Sequence, residues 1–258
     1  QLKGWKVKAN NGMVAPMSDE KKWAIVTGGS RGLGFETAKG LIAAGISVYI
    51  IGKDEVRAQQ SAEKLGCNFR AVDVADSKKF RQVLTEINEE ATSNGFQTLD
   101  ILVLAHGVMS EKMSKTLRTT DEEWRRTLSI NLDAVFTAVN QLAPAMSDAR
   151  KGRVIVYSAC LGRMSGPGTH GGLAPYRISK AGVNAFVKNL SYETGLGARG
   201  FLVDAICPNH CRTDMGGPDA PRSAQEGADT AIWLATREFD PVKDKTGLLW
   251  EDRQVVDW

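Results

Sequence analysis

Short apolar runs alternate with longer stretches of helical spacing from about position 22 onward. Residues 22–28 read Lys-Trp-Ala-Ile-Val-Thr-Gly, an apolar run closed by glycine. Such a run fits a strand buried on both faces of a parallel sheet. A helical pattern follows from about Phe35 to Ala44, with Ala38, Leu41 and Ile42 on one face and Gly45 as the stop. The same alternation predicts strands at 47–51, 68–72, 100–105, 153–158, 200–207 and 246–250. Between them it predicts helices at 55–65, 78–92, 121–146, 174–196 and 224–235, the third capped by Thr119 or Thr120. Strand and helix taking turns without a composition break predict a single α/β domain with a doubly wound parallel sheet. Ligands are then expected outside the carboxyl ends of the strands.

Composition narrows the partners. The chain has 258 residues and a formal charge of +3. It carries no long basic block interleaved with aromatics, which argues against nucleic acid. No apolar run reaches the roughly 18 residues of a membrane span, and no secretory leader is read, so neither a membrane partner nor export is expected. Cys67, Cys160, Cys207 and Cys211 are read as reduced thiols of a cytoplasmic protein. Cys207 and Cys211 flank His210, but no second cluster completes a tetrahedral metal set. Residues 1–17 fall outside the pattern and read as a tail or arm, leaving 18–258 as the domain.

Two motifs carry the chemistry. Gly28, Gly29, Ser30, Arg31, Gly32, Leu33 and Gly34 link the first strand to the first helix. Glycines there let the backbone turn tightly and approach a pyrophosphate, while the helix N-terminus favours the anion. Far downstream, Tyr176 and Lys180 stand four apart on a predicted helix, hence on one face. An ammonium beside a phenol lowers its pKa from about 10. A tyrosine so placed can exchange a proton with a carbonyl or alcohol oxygen.

A Thr-Gly-x3-Gly-x-Gly loop followed by Tyr-x3-Lys resembles the short-chain dehydrogenase/reductase family, over nearly all of the chain from about Lys21. The resemblance implies a Rossmann-type fold and a nicotinamide cofactor. It places Gly28, Ser30, Arg31, Gly32, Leu33 and Gly34 on the cofactor, with Tyr176 and Lys180. Asp73 and Val74 match the family's adenine-binding pair. Gly107 matches the end of its Asn-Asn-Ala-Gly segment, although Leu104-Ala105-His106 replaces the rest. Ala105 and Gly107 are kept as cofactor contacts, and His106 is either a packed histidine or a proton carrier, since imidazole titrates near pH 6.5. Pro208, Thr213 and Met215 match the segment after the sixth strand, where Thr213 would bond the nicotinamide carboxamide.

The end of the second strand reads Ile51-Gly52-Lys53-Asp54. An acidic residue there would bind the ribose of NAD, and a cation a 2′-phosphate. Lys53 and Arg31 point to NADP(H) over NAD. Asp54 argues the other way if the turn is one residue longer.

Asn131 matches the family's asparagine, which would hold a backbone kink and a water linking Lys180 to solvent. The serine position departs from the pattern. Where relatives carry Ser-Ser-x-x-Gly, this chain has Ser158-Ala159-Cys160-Leu161-Gly162. Anchored on Gly162, the hydroxyl that should hold the substrate oxygen is replaced by Ala159. Three accounts stand: an engineered Ser→Ala change that traps a complex, a natural variant that lost ordinary redox catalysis or replaced the hydroxyl with Ser158, Cys160 or a group from the following loop, or a one-residue misalignment. Ser158 is kept among the catalytic candidates with Tyr176, Lys180 and Asn131. The Gly-rich stretch 163–172 should roof the substrate, with Met164, Thr169 and His170 near it alongside Ala159.

The resemblance implies an NADP(H)-dependent oxidoreductase of the carbonyl-reductase type acting on a carbonyl or secondary alcohol of a small molecule. The alternatives are a non-redox member that keeps NADP for a cyclisation or isomerisation, and a cofactor-binding protein without catalysis. Assembly as a homodimer or homotetramer is expected through the helices at 121–146 and 174–196.

Overall fold

The computed structural model describes residues 21–110, 115–240, 242 and 244–258. The expected arm at 1–17 lies outside the described residues.

The first strand, β1 (Trp23–Thr27), is buried along its whole length. Trp23 and Ile25 face one apolar core, while Ala24 and Val26 face another. That alternation is the period-two geometry of a strand covered on both sides. Six strands follow it in the predicted order: β2 (Ser47–Gly52), β3 (Asn68–Ala71), β4 (Ile101–Leu104), β5 (Gly152–Tyr157), β6 (Phe201–Ile206) and β7 (Leu249–Glu251). An eighth, β8 (Gln254–Val256), pairs antiparallel with β7. The sheet order is β3-β2-β1-β4-β5-β6-β7-β8, parallel up to β7.

Helices α1 (Gly32–Ala43), α2 (Glu55–Leu65) and α7 (Ala224–Thr236) cover one face, through residues such as Leu41, Ala62 and Ala231. Helices α3 (Ser77–Ser93), α5 (Ala134–Asp148) and α6 (Ala174–Glu193) cover the other, through Phe80, Leu84, Leu142 and Val183. The single-domain doubly wound α/β architecture is therefore that of a Rossmann-type sheet. Strand β1 pairs with both β2 and β4, so the chain direction across the sheet reverses there. A crevice opens at such a switch point, at the carboxyl ends of the strands.

Two details depart from the expected elements. The helix expected over 121–146 is broken: α4 (Asp121–Leu128) runs into a π-helical turn, Ser129–Asp133, before α5 begins. The extra residue in that turn swings Asn131 into the interior, where three hydrogen bonds hold it. Strand β8 was not expected. Three residues are too few to show alternation, and the hairpin depends on Asp252 and Arg253 both adopting positive φ, the geometry of a tight hairpin turn. Among the described residues, no helix is long and apolar enough to cross a membrane.

Candidate active site

A cleft of about 670 Å³ occupies the switch point. Gly28, Ser30, Arg31, Gly32, Leu33 and Gly34 form one wall. Lys53 follows β2, Asp73 and Val74 follow β3, and Ala105 and Gly107 follow β4. Thr213 and Met215 close the cleft from the segment after β6. Gly28 has φ +67°, and a Cβ there would meet the Ala105 carbonyl oxygen at 2.8 Å. A Cβ on Gly34 would collide with the carbonyl oxygen of Gly28. Only glycine permits this close turn into the start of α1. The result is a cradle of backbone at a helix N-terminus, which fits a nucleotide's phosphates.

Tyr176 and Lys180 lie on the buried face of α6. The Lys180 ammonium donates to the Tyr157 carbonyl at 2.7 Å and stands 5.9 Å from the centre of the Tyr176 ring. A Cβ placed on Gly107 would lie 3.4 Å from Asn131 Oδ1 and 3.7 Å from Lys180 Nζ. Gly107 is thus the point where the cleft floor meets these side chains. Burial lowers the Lys180 pKa to about 8. Burial also pushes the Tyr176 phenol above its ordinary value, and nearby Cys207 and Cys160 act in the same direction. The lowering expected from the lysine is therefore not what this site gives. The ammonium is directed at a carbonyl, desolvation dominates, and the phenol keeps its proton.

Asn131 is fully buried. Its amide donates to the Val108 carbonyl and to Ser179 Oγ, both at 3.0 Å, and accepts from the Val108 N–H at 2.8 Å. Ser179 in turn donates to the Tyr176 carbonyl at 2.7 Å. One side chain therefore joins the loop after β4 to the helix bearing the tyrosine.

Ser158 donates its hydroxyl to Asn184 Oδ1 on α6 and lies 3.4 Å from the Lys180 carbonyl. Ala159 follows in extended backbone, φ −158° and ψ 152°, so its methyl leaves the chain on a different side. Met164, Thr169 and His170 are exposed in a loop that forms a short 3₁₀ turn, Gly166–Thr169. None of the three lines the cleft. Arg177 holds that loop to α6, through Gly172 O at 2.9 Å and Pro167 O at 3.1 Å. Pro208, expected on the cofactor, does not line the cleft; its carbonyl accepts from the Cys211 thiol at 3.1 Å. His106 packs edge-on against Phe80, and its Nδ1 lies 2.6 Å from Thr27 Oγ1. Burial lowers its pKa to about 3, which leaves a neutral, packed ring rather than a proton carrier.

Residues 22–223 match the family model for short chain dehydrogenases. The chain belongs to the short-chain dehydrogenase family. It is an oxidoreductase. The 3-oxoacyl-[acyl-carrier-protein] reductase of Escherichia coli is 34% identical over 201 residues, covering 77% of each chain. That of Vibrio cholerae is 32% identical over 227 residues, covering 87% of each. Among solved structures, gox2181 superposes with a TM-score of 0.76 at 23% identity, covering 88% of this chain and 92% of that one. An actinorhodin polyketide ketoreductase bound to NADPH gives 0.72 at 24% identity, covering 83% and 90%. At such identities the superpositions speak for the fold.

The outer rim of this dehydrogenase's cleft is ionic. Lys53 pairs with Asp73 at 2.7 Å. Arg31 pairs closely with Asp214, and Arg57 reaches the same carboxylate oxygen at 3.4 Å. Arg57 and Asp214 were not among the residues expected here. Arg57 follows the second strand closely enough to have been considered, but nothing local marks Asp214, which is 157 residues further on. Asp54 also lines the cleft and caps α2 by accepting from the Arg57 N–H at 2.8 Å.

Proposed function

We propose that this dehydrogenase is NADP(H)-dependent and interconverts the carbonyl and secondary alcohol of a small organic substrate. The observation that carries the reading is Lys180, one turn along α6 from the buried Tyr176, reaching the floor of the glycine-walled cleft at Gly107. The cofactor supplies hydride at its nicotinamide carbon when bound. Gly28, Gly32 and Gly34 would admit its pyrophosphate, and Thr213 would orient the carboxamide. Asp73 and Val74 would flank the adenine. Tyr176, protonated in this environment, would donate to the substrate oxygen as the carbonyl is reduced. Lys180 would hold the ribose and keep positive charge beside the tyrosine. Asn131 would fix the geometry of both. The relatives named as 3-oxoacyl reductases support a ketone as the substrate class.

NADP(H) is favoured by the cations at the adenosine end: Arg31, Arg57 and Lys53. Charge-assisted hydrogen bonds to a phosphate are worth about 1.5–3 kcal/mol, which corresponds to roughly 10- to 100-fold. NADPH is therefore expected to exceed NADH by roughly that factor in kcat/KM, read from absorbance at 340 nm with a panel of ketones. Equal or better use of NADH removes the claim.

A pH dependence follows from Lys180. Its pKa is lowered to about 8, so the ammonium is present below that pH and lost above it. Ketone-reducing kcat/KM is expected to hold level up to about pH 8 and then to fall, approaching tenfold per unit. A flat profile to pH 10 would show that the lysine charge contributes nothing to turnover.

A further inference from the structure

We infer that Asp214 is a built-in competitor for the cofactor's 2′-phosphate: its carboxylate holds the Arg31–Arg57 pair until that phosphate displaces it. The inference rests on the NADP(H) reading above.

Arg31 lies in the glycine loop, Arg57 in α2, and Asp214 in the segment that follows β6. All three line the same cleft. Both guanidinium groups converge on a single carboxylate oxygen, Asp214 Oδ2. The hydrogen bond from Arg31, reinforced by Arg57, holds that carboxyl below the usual carboxylate range. Two cations from separate elements, gathered on one anion at the mouth of a nucleotide cleft, are arranged as a phosphate would need them. A phosphate monoester carries nearly two charges at neutral pH and offers three acceptor oxygens. It matches guanidinium groups in bidentate fashion, which a single carboxylate oxygen does not. Held at the same pair, the two anions repel one another, so phosphate binding expels Asp214.

Displacement reaches beyond the rim. Asp214 adjoins Thr213, whose hydroxyl accepts from the Gly216 N–H at 3.1 Å and whose carbonyl accepts from the Gly217 N–H at 2.8 Å. The latch therefore fastens the short turn that carries the residue meant for the nicotinamide end. The adenosine-end phosphate and the position of this turn are linked through one side chain.

The size of the effect follows from exposure. Asp214 and both arginines are about half exposed, and ion pairs of this kind contribute little each. Removing the competitor should tighten phosphate binding by roughly 3- to 10-fold.

The test compares 2′,5′-ADP with 5′-AMP by titration calorimetry on the full chain. Wild-type protein should prefer 2′,5′-ADP. Asp214→Asn should bind 2′,5′-ADP roughly 3- to 10-fold more tightly with 5′-AMP unchanged. Asp219→Asn removes the same charge from the same segment, outside the cleft, and should leave both affinities alone. A wild-type preference that Asp214→Asn leaves unaltered, or that Asp219→Asn shifts equally, overturns the competition and spares the NADP(H) reading. No wild-type preference overturns both.

Discussion

Replacing Tyr176 by phenylalanine should lower kcat for ketone reduction by roughly 10²–10⁴, the range lost with a positioned general acid. Three observations fix that expectation. The ring is buried on the inner face of α6, so phenylalanine fills the same space. Tyr157 does not replace it, being engaged with Thr37 at 2.7 Å, and His106 remains neutral and packed. The Tyr176 phenol also retains its proton through the physiological range, because burial disfavours the phenolate. A group that keeps its proton until a developing alkoxide takes it is suited to reduction more than to oxidation at neutral pH. The variant should therefore keep its thermal midpoint and its NADPH affinity while losing turnover. Loss of all three together would point to a packing defect. Unchanged kcat would remove Tyr176 from the chemistry.

Installing serine at position 159 should act in the opposite direction. One preorganised donor to an oxyanion is commonly worth about 10²–10³ in rate. Ala159 has extended backbone that serine adopts freely, and the position is nearly enclosed, so an added hydroxyl would be held rather than solvated. Ser158 is poorly placed to substitute, since its hydroxyl is given to Asn184 and faces α6. The expected result for Ala159→Ser is a gain of roughly two to three orders of magnitude in kcat with a smaller change in KM. Steady-state assay of both chains against the same ketones decides it. No gain rejects the missing-donor account and turns attention to Cys160 or to a loop group as the second contact.

The sequence made the α/β frame legible because its signals are local. The 22–28 run and the glycines at 28, 32 and 34 lie within one strand, turn and helix start, and each residue type has a backbone reason for its place. The opposite orientations at 158 and 159 were legible too, since strand alternation separates neighbours. What escaped was non-local. The π turn at Ser129–Asp133 exists because Asn131 finds Val108 and Ser179 across the domain, and nothing in its own spacing announces it. Arg57 and Asp214 meet only once the fold is closed. The phenol's pKa was misjudged because spacing along a helix puts a lysine near a tyrosine without saying how much water remains or where the ammonium points. Burial decided that, and the Tyr157 carbonyl took the ammonium.

The three hydrogen bonds of Asn131 carry a warning for kinetic mapping. They rivet the loop behind Gly107 to Ser179, hence the cleft floor to the helix that bears Tyr176. An alanine at 131 leaves a buried N–H and two carbonyl or hydroxyl partners short of a bond, and both surfaces relax. Turnover would collapse with no proton ever having passed through the amide. A scan that ranks residues by lost rate alone would count this rivet among the acids and bases. Separating holding from reacting at this site requires cofactor affinity and rate to be measured on the same variant.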